Sequence, residues 1–328
     1  MTAPDLTPHH HRPAPHRAPQ RTGRGLARMI IATSLWGTAS AGLATVDTPG
    51  FAAAPVAAGA AATLLIFAVL RGHAPWAEFR HSPRLFATLG ALEVLNLACY
   101  VAALKIGPLP VVVALHLTAP ILLILTHLVR GRRPLTLTVG VELAAVAVAL
   151  ALIAGQPPAT TSLGPALAGC VLAVASAACV AALITVVVRE ADGRSSESAA
   201  GLQLLAAAVL GAPLFVLAAL NGSAPTIDQS LGLAAIGGLL LGPGFAFFWL
   251  AARDLTPTTT GVVGLNEALV ATLAGALLID AQTTATDLVA SALVLAAAAL
   301  ELGRPNPQQL PDTDRPAPTA VLHRKPTP

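Results

Sequence analysis

Glu93, Asn96 and Tyr100 stand at i, i+3 and i+7 within one long apolar run. On a helix that spacing puts all three on one face. A charged side chain at the centre of a lipid-spanning helix costs about 2.5–3.5 kcal/mol on insertion scales. Such a face is therefore expected to turn toward a polar cavity or a neighbouring helix. A carboxylate there can meet a ligand amine or carry a proton; the plainer alternative is an interhelical hydrogen-bond network. His116 lies in the next apolar run with Pro120 one turn on. Pro120 has no N–H, so the His116 carbonyl is released and the helix can bend beside a titratable imidazole. Asn266 and Glu267 form a second polar pair deep in a later run. Glu267 is read either as a partner for an amine or proton, or as a structural carboxyl.

Aromatic residues are only 4% of the chain, so their placement carries information. Trp36, Tyr100, Phe248 and Trp249, with Phe245, could line a binding face and attract a cation, or simply pack. Gly242, Pro243 and Gly244 are expected to interrupt their run and serve with Pro120 as hinges.

The elements that must carry these residues are membrane helices. Charged residues make up 11% of the 328 residues and mean hydropathy is +0.72, whereas a soluble domain has about 25% charged residues. Ten apolar segments fall near 27–46, 52–71, 85–104, 109–129, 135–154, 163–188, 199–220, 231–252, 257–278 and 284–302. Each is close to the ~20 residues a span needs, and backbone groups in lipid must pair internally, so each is expected to be helical. The expected fold is an all-α membrane protein of ten transmembrane helices.

Charge placement orients them. If the N-terminus is cytoplasmic and the chain alternates sides, every Lys and Arg except Lys105 falls on the cytoplasmic side. The positive-inside rule thus predicts a multi-pass protein of the cell (inner) membrane with both termini cytoplasmic. It also accounts for the net charge of +3 without nucleic acid. Residues 1–26 and 303–328 are rich in Pro and polar residues and are expected to be disordered cytoplasmic tails. His9, His10, His11 and His16 belong to the first, where a solvated tail is a plainer reading than a metal site. Cys99, Cys170 and Cys179 sit in apolar runs with no metal or disulfide spacing. Without a Walker loop, a zinc-binding His-Glu-x-x-His or a Gly-x-Ser-x-Gly elbow, neither an enzyme nor a cofactor is expected.

Placing Lys105 over Arg253 aligns Tyr100–Lys105 with Phe248–Arg253 without a gap. The chain therefore reads as two repeats, 27–155 and 156–302. Five spans each would insert them in opposite senses, and inverted repeats place a substrate site near the midplane.

These features resemble the drug/metabolite transporter superfamily, in its EamA-type branch, across residues 27–302. The resemblance rests on Trp36-Gly37, Ala103-Leu104-Lys105, Pro120, Leu265-Asn266-Glu267-Ala268 and Asp280. The stretch from Pro108 through His116 to Pro120 is most similar to threonine/homoserine exporters, with His116 where that subgroup has Glu. Ala268 stands where the family has Pro, and Arg132 where an acidic residue is expected. The resemblance implies a secondary transporter exporting amino acids or related small metabolites by alternating access. Glu93, Asn96, His116, Asn266 and Glu267 would line its site. A small-molecule substrate, the lipid bilayer, a coupling proton and a homodimeric partner are the partners this reading admits. Drugs, lipid-linked carriers or nucleotide sugars as cargo, and a non-transporting membrane scaffold, stay open as alternatives.

Overall fold

A computed structural model describes residues 20–46, 53–106, 115–131, 136–154 and 163–278, with position 112 and scattered positions between 285 and 300. Among these residues every regular element is helical. The helices are α1 (Gln20–Thr45), α2 (Ala53–Leu70), α3 (Pro75–His81), α4 (Pro83–Ile106), α5 (Ala119–Val129) and α6 (Leu137–Ala154). They continue as α7 (Leu163–Glu190), α8 (Ser196–Leu220), α9 (Ile227–Ile236), a π-turn (Gly237–Leu241), α10 (Gly242–Ala252), α11 (Pro257–Gly264) and α12 (Asn266–Leu278). The tails 1–19 and 301–328, Gly107-Pro108, Arg132, Asp280 and most of the expected tenth segment lie outside the described residues, as do the side chains of His127 and Glu142.

Five of the described stretches are long and apolar enough to cross a membrane: Pro83–Ala103, Leu167–Glu190, Ser196–Leu220, Ile227–Ala252 and Pro257–Leu277. A sixth appears if α2 and α3 count as one span bent by 108°. Large apolar side chains such as Leu70, Val209, Leu220 and Leu231 point outward, as suits a lipid surround and not water. The multi-pass membrane character expected from composition is thus present in the helices.

The densest helix contacts join the two halves of the chain. α2 packs on α8, α4 on α7 and α8, and α1 on α10 and α12. Small residues let these backbones touch. A Cβ on Gly59 would overlap the Ala234 carbonyl, and one on Gly237 would overlap that of Val56.

Three local results differ from the sequence expectation. α1 already starts at Gln20, inside the stretch expected as tail. Its first turns have a partner there: a Cβ at Gly25 would lie 2.8 Å from Asp254 Cβ, and Arg28 bonds the Asp254 carboxylate at 3.0 Å. Residues 75–81, expected as connector, form α3 with Pro75 in its first turn. Gly242–Gly244 do not interrupt their span. Pro243 lacks an N–H and would crowd the preceding turn. The chain widens into the π-turn, where the Gly242 N–H donates to the Gly237 carbonyl, and the helix then runs on to Ala252.

Charged contacts collect at one end of the bundle. Arg194 reaches Glu78 and Glu190 at 3.6 Å each and donates to Ser82 at 3.2 Å. Arg71 pairs with Glu197 at 2.9 Å, and Arg253 donates to the Arg194 carbonyl. Lys105 lies at the opposite end of α4 and donates to the Val46 carbonyl at 3.4 Å. The Arg28–Asp254 pair is partly exposed, so solvent screens it. A double-mutant cycle of Arg28→Ala with Asp254→Asn is expected to give a coupling of about 0.5–1 kcal/mol; additive effects would mean that the pair does not tie α1 to the α10–α11 turn.

Candidate functional site

Two spans lose regular helical pairing for a residue or two where they meet the interior. The chain turns at Leu117 and Thr118 before α5, with the Thr118 N–H donating to the Leu115 carbonyl at 3.1 Å. It turns again at Leu265, whose N–H donates to Val262 at 3.1 Å, before α12. Pro120 sits in the first turn of α5 and Glu267 in the first turn of α12. An acidic group at a helix start is favoured by the free N–H groups there.

Between these breaks lies a cavity of about 110 Å³. Trp36, Ala39 and Ser40 of α1, Glu93, Asn96 and Tyr100 of α4, and His116, Ala119 and Pro120 line one part of it. Val180, Leu183 and Ile184 of α7, Leu241, Phe245, Phe248, Gly261, Gly264, Leu265 and Glu267 complete much of the rest. The wall is mainly apolar, so its polar atoms fix what it can recognise.

Behind the wall runs a fully connected polar chain. Trp249 Nε1 donates to Gln203 Oε1 at 3.0 Å, and Gln203 Nε2 donates to Glu93 Oε2 at 2.9 Å. From the other side, Asn96 Nδ2 donates to Glu93 Oε1 at 3.3 Å, and Ser176 Oγ donates to Asn96 Oδ1 at 2.7 Å. His116 Nδ1 lies 2.8 Å from Ser176 Oγ. Ser176 has one proton and Asn96 receives it, so the imidazole must supply the proton of that last bond. The network thereby assigns the Nδ1–H tautomer and leaves His116 Nε2 as a lone pair. Both arms end on Glu93, which has no solvent exposure. A buried carboxyl needs such partners.

Glu267 is held differently. Ser40 Oγ donates to its Oε1 at 3.3 Å, and Tyr100 lines the same cavity. Tyr100 also lies against His116, with ring centroids 4.1 Å apart. Gly37 makes the Ser40 contact reachable, since a Cβ there would lie 2.7 Å from the Glu267 carbonyl. Across the cavity Trp36 meets Phe245 at 5.1 Å and Phe248 at 5.4 Å, and the two Phe rings are edge to face.

No family model and no curated protein matches the chain. Its fold is similar to that of a protein known from a crystal structure, at 20% sequence identity and a TM-score of 0.64. That match covers 86% of this chain and 96% of the other. At this identity the likeness concerns the fold alone. Its near-complete coverage of both chains means that the helices belong to one architectural unit.

The structure brings Trp36, Glu93, Asn96, Tyr100, His116, Pro120, Phe248 and Glu267 to one cavity. Two expected lining residues stand elsewhere. Asn266 donates to Thr33 Oγ1 at 3.0 Å and ties α12 to α1. Trp249 is fully buried and points at Gln203. Gly244 acts as a notch, not a break: a Cβ there would press on the indole nitrogen of Trp36. Sequence reasoning missed Ser40 and Ser176, and read Gln203 only as a packing residue. Gln203 carried a usable signal, a large amide in an apolar run. Serines are too common in membrane helices to stand out.

Proposed function

We propose that this chain is a secondary transporter that exports a small metabolite, in the class of amino acids and related compounds, by alternating access. In this reading it has ten spans in two oppositely inserted five-span units, both tails lie in the cytoplasm, and it belongs to the EamA-type branch of the drug/metabolite transporters. The observation that carries it is the cavity enclosed by helices from both halves, with the Glu267 carboxyl on its wall. Two further features support it. Helical pairing is interrupted at Leu117–Thr118 and at Leu265, positions that coincide when Lys105 is laid over Arg253; matching interruptions in the two halves fit an internal repeat. The cavity volume of about 110 Å³ suits a small metabolite better than a nucleotide sugar or lipid-linked carrier, because drug-sized ligands take about 300 Å³ or more. Glu267 is the group best placed to exchange a coupling proton.

Reconstitution in proteoliposomes tests this. Glu267→Gln removes the charge at nearly constant volume and is expected to slow solute flux at least about tenfold and to flatten its pH dependence. Flux and pH profile equal to the parent protein would remove Glu267 from the mechanism. Labelling of engineered cysteines that placed the two tails on opposite sides of the membrane would defeat the ten-span topology.

A further inference from the structure

We propose that the cavity selects an organic cation, a primary amine on a compact apolar body, over the zwitterionic or anionic compound of the same shape. The inference rests on the transport reading above and, within it, moves the cargo from the amino acids themselves to their amine relatives. It follows from an account of protons on the cavity wall. The Ser40 hydroxyl is taken up by Glu267. His116 gives its Nδ1 proton to Ser176, which gives its own to Asn96. The Ser40 and Ser176 hydroxyls and the His116 imidazole are thus committed to protein acceptors. Apart from the Trp36 indole N–H, which is buried without a partner beside Gly244, the free capacity is lone pairs, on the second oxygen of Glu267 and on His116 Nε2. An ammonium group brings donors for these lone pairs and the positive charge that such a wall lacks.

The same wall is poorly suited to a carboxylate. Among the described lining residues there is no Lys or Arg, and the neighbouring stretch 107–114 contains neither. A ligand carboxylate would approach Glu267 in a surround of low dielectric, where like charges repel strongly. The donors left for it are neutral: the Trp36 indole N–H, the Tyr100 hydroxyl and the amides that open α5, of which Pro120 removes one.

The apolar part of the ligand has its own place. Trp36 precedes Ser40 by one helical turn, so the Trp36–Phe245–Phe248 corner lies about 5–6 Å from the Ser40–Glu267 pair along α1. That separation fits a short branched or aryl chain between an amine and its body, and the rings add attraction for the charge.

Three compounds share one branched body and differ in charge: isopentylamine, L-leucine and 4-methylpentanoate. Calorimetric titration of the full chain in detergent at neutral pH is expected to show isopentylamine binding at least about tenfold tighter than the other two. L-leucine or 4-methylpentanoate binding as tightly as the amine overturns the inference, and so does failure of the amine to bind. Glu267→Gln is expected to weaken amine binding at least about tenfold; unchanged affinity also overturns it. The parent-protein series decides the matter if that variant does not fold. Flux of isopentylamine through proteoliposomes, run alongside, separates the two readings. An amine that binds but is not moved defeats transport and leaves the cation site standing. Transport of another solute with no amine binding defeats the cation site alone.

Discussion

Gly237→Val is expected to prevent the bundle from closing, at a cost of about 3 kcal/mol or more. In detergent it should appear as loss of the monodisperse peak on size exclusion and a large fall in Tm. The reason is what the new atoms would meet. A Cβ at Gly237 runs into the backbone carbonyl of Val56, and a backbone atom moves only if α2 moves. α2 cannot retreat, because it packs along α8 on its other side. Gly59 faces the Ala234 carbonyl in the same seam, so the two helices are locked in both directions. Gly232 supplies the control. It lies in α9 close to Gly237, yet a Cβ there would meet nothing within 4 Å. Gly232→Ala should be neutral or stabilise the helix by up to about 1 kcal/mol. Equal behaviour of the two variants would mean that the α2–α9 contact is looser than described.

The same geometry explains what could be read from the sequence. Helical periodicity was enough to group Glu93, Asn96 and Tyr100, because residues three and four apart share a face. It also predicted the break near Pro120, where a missing N–H leaves a mark in the sequence. The errors came from neighbours. Consecutive helical residues point about 100° apart, so one of a neighbouring pair can turn away, as Asn266 does beside Glu267 and Trp249 beside Phe248. Phe245 and Phe248, three apart, do share the wall, while Trp249 turns back to Gln203. The tight seam at Gly59 and Gly237 was hidden for another reason. A glycine in an alanine-rich run looks like any small residue until the opposing backbone is known. Ser40 and Ser176 matter through what they touch across the bundle, which no local pattern encodes.

Glu93→Gln is expected to reverse one arm of the buried network and change the tautomer of His116. In the parent protein both Glu93 oxygens accept, one from Gln203 and one from Asn96. A glutamine offers one oxygen and one NH₂ group. Gln203 cannot turn to suit it, because its own oxygen is held by the Trp249 N–H, which only donates. The new amide must therefore keep its oxygen toward Gln203 and present NH₂ to Asn96. Asn96 then flips, its NH₂ now facing Ser176, and Ser176 turns its proton toward His116 Nδ1. The imidazole proton moves to Nε2, so the nitrogen left for the cavity changes from acceptor to donor. Imidazole ¹⁵N shifts should report Nδ1–H in the parent protein and Nε2–H in Glu93→Gln. Isopentylamine affinity should fall about tenfold even though Glu93 has no solvent exposure, because a donor now faces the ammonium. Gln203→Leu tests the anchor of the argument. It frees the Trp249 N–H and one Glu93 oxygen and should destabilise the bundle by about 2–4 kcal/mol, but it leaves the Asn96–Ser176–His116 arm and its tautomer in place. An unchanged His116 tautomer in Glu93→Gln would break the link between this buried carboxyl and the cavity wall.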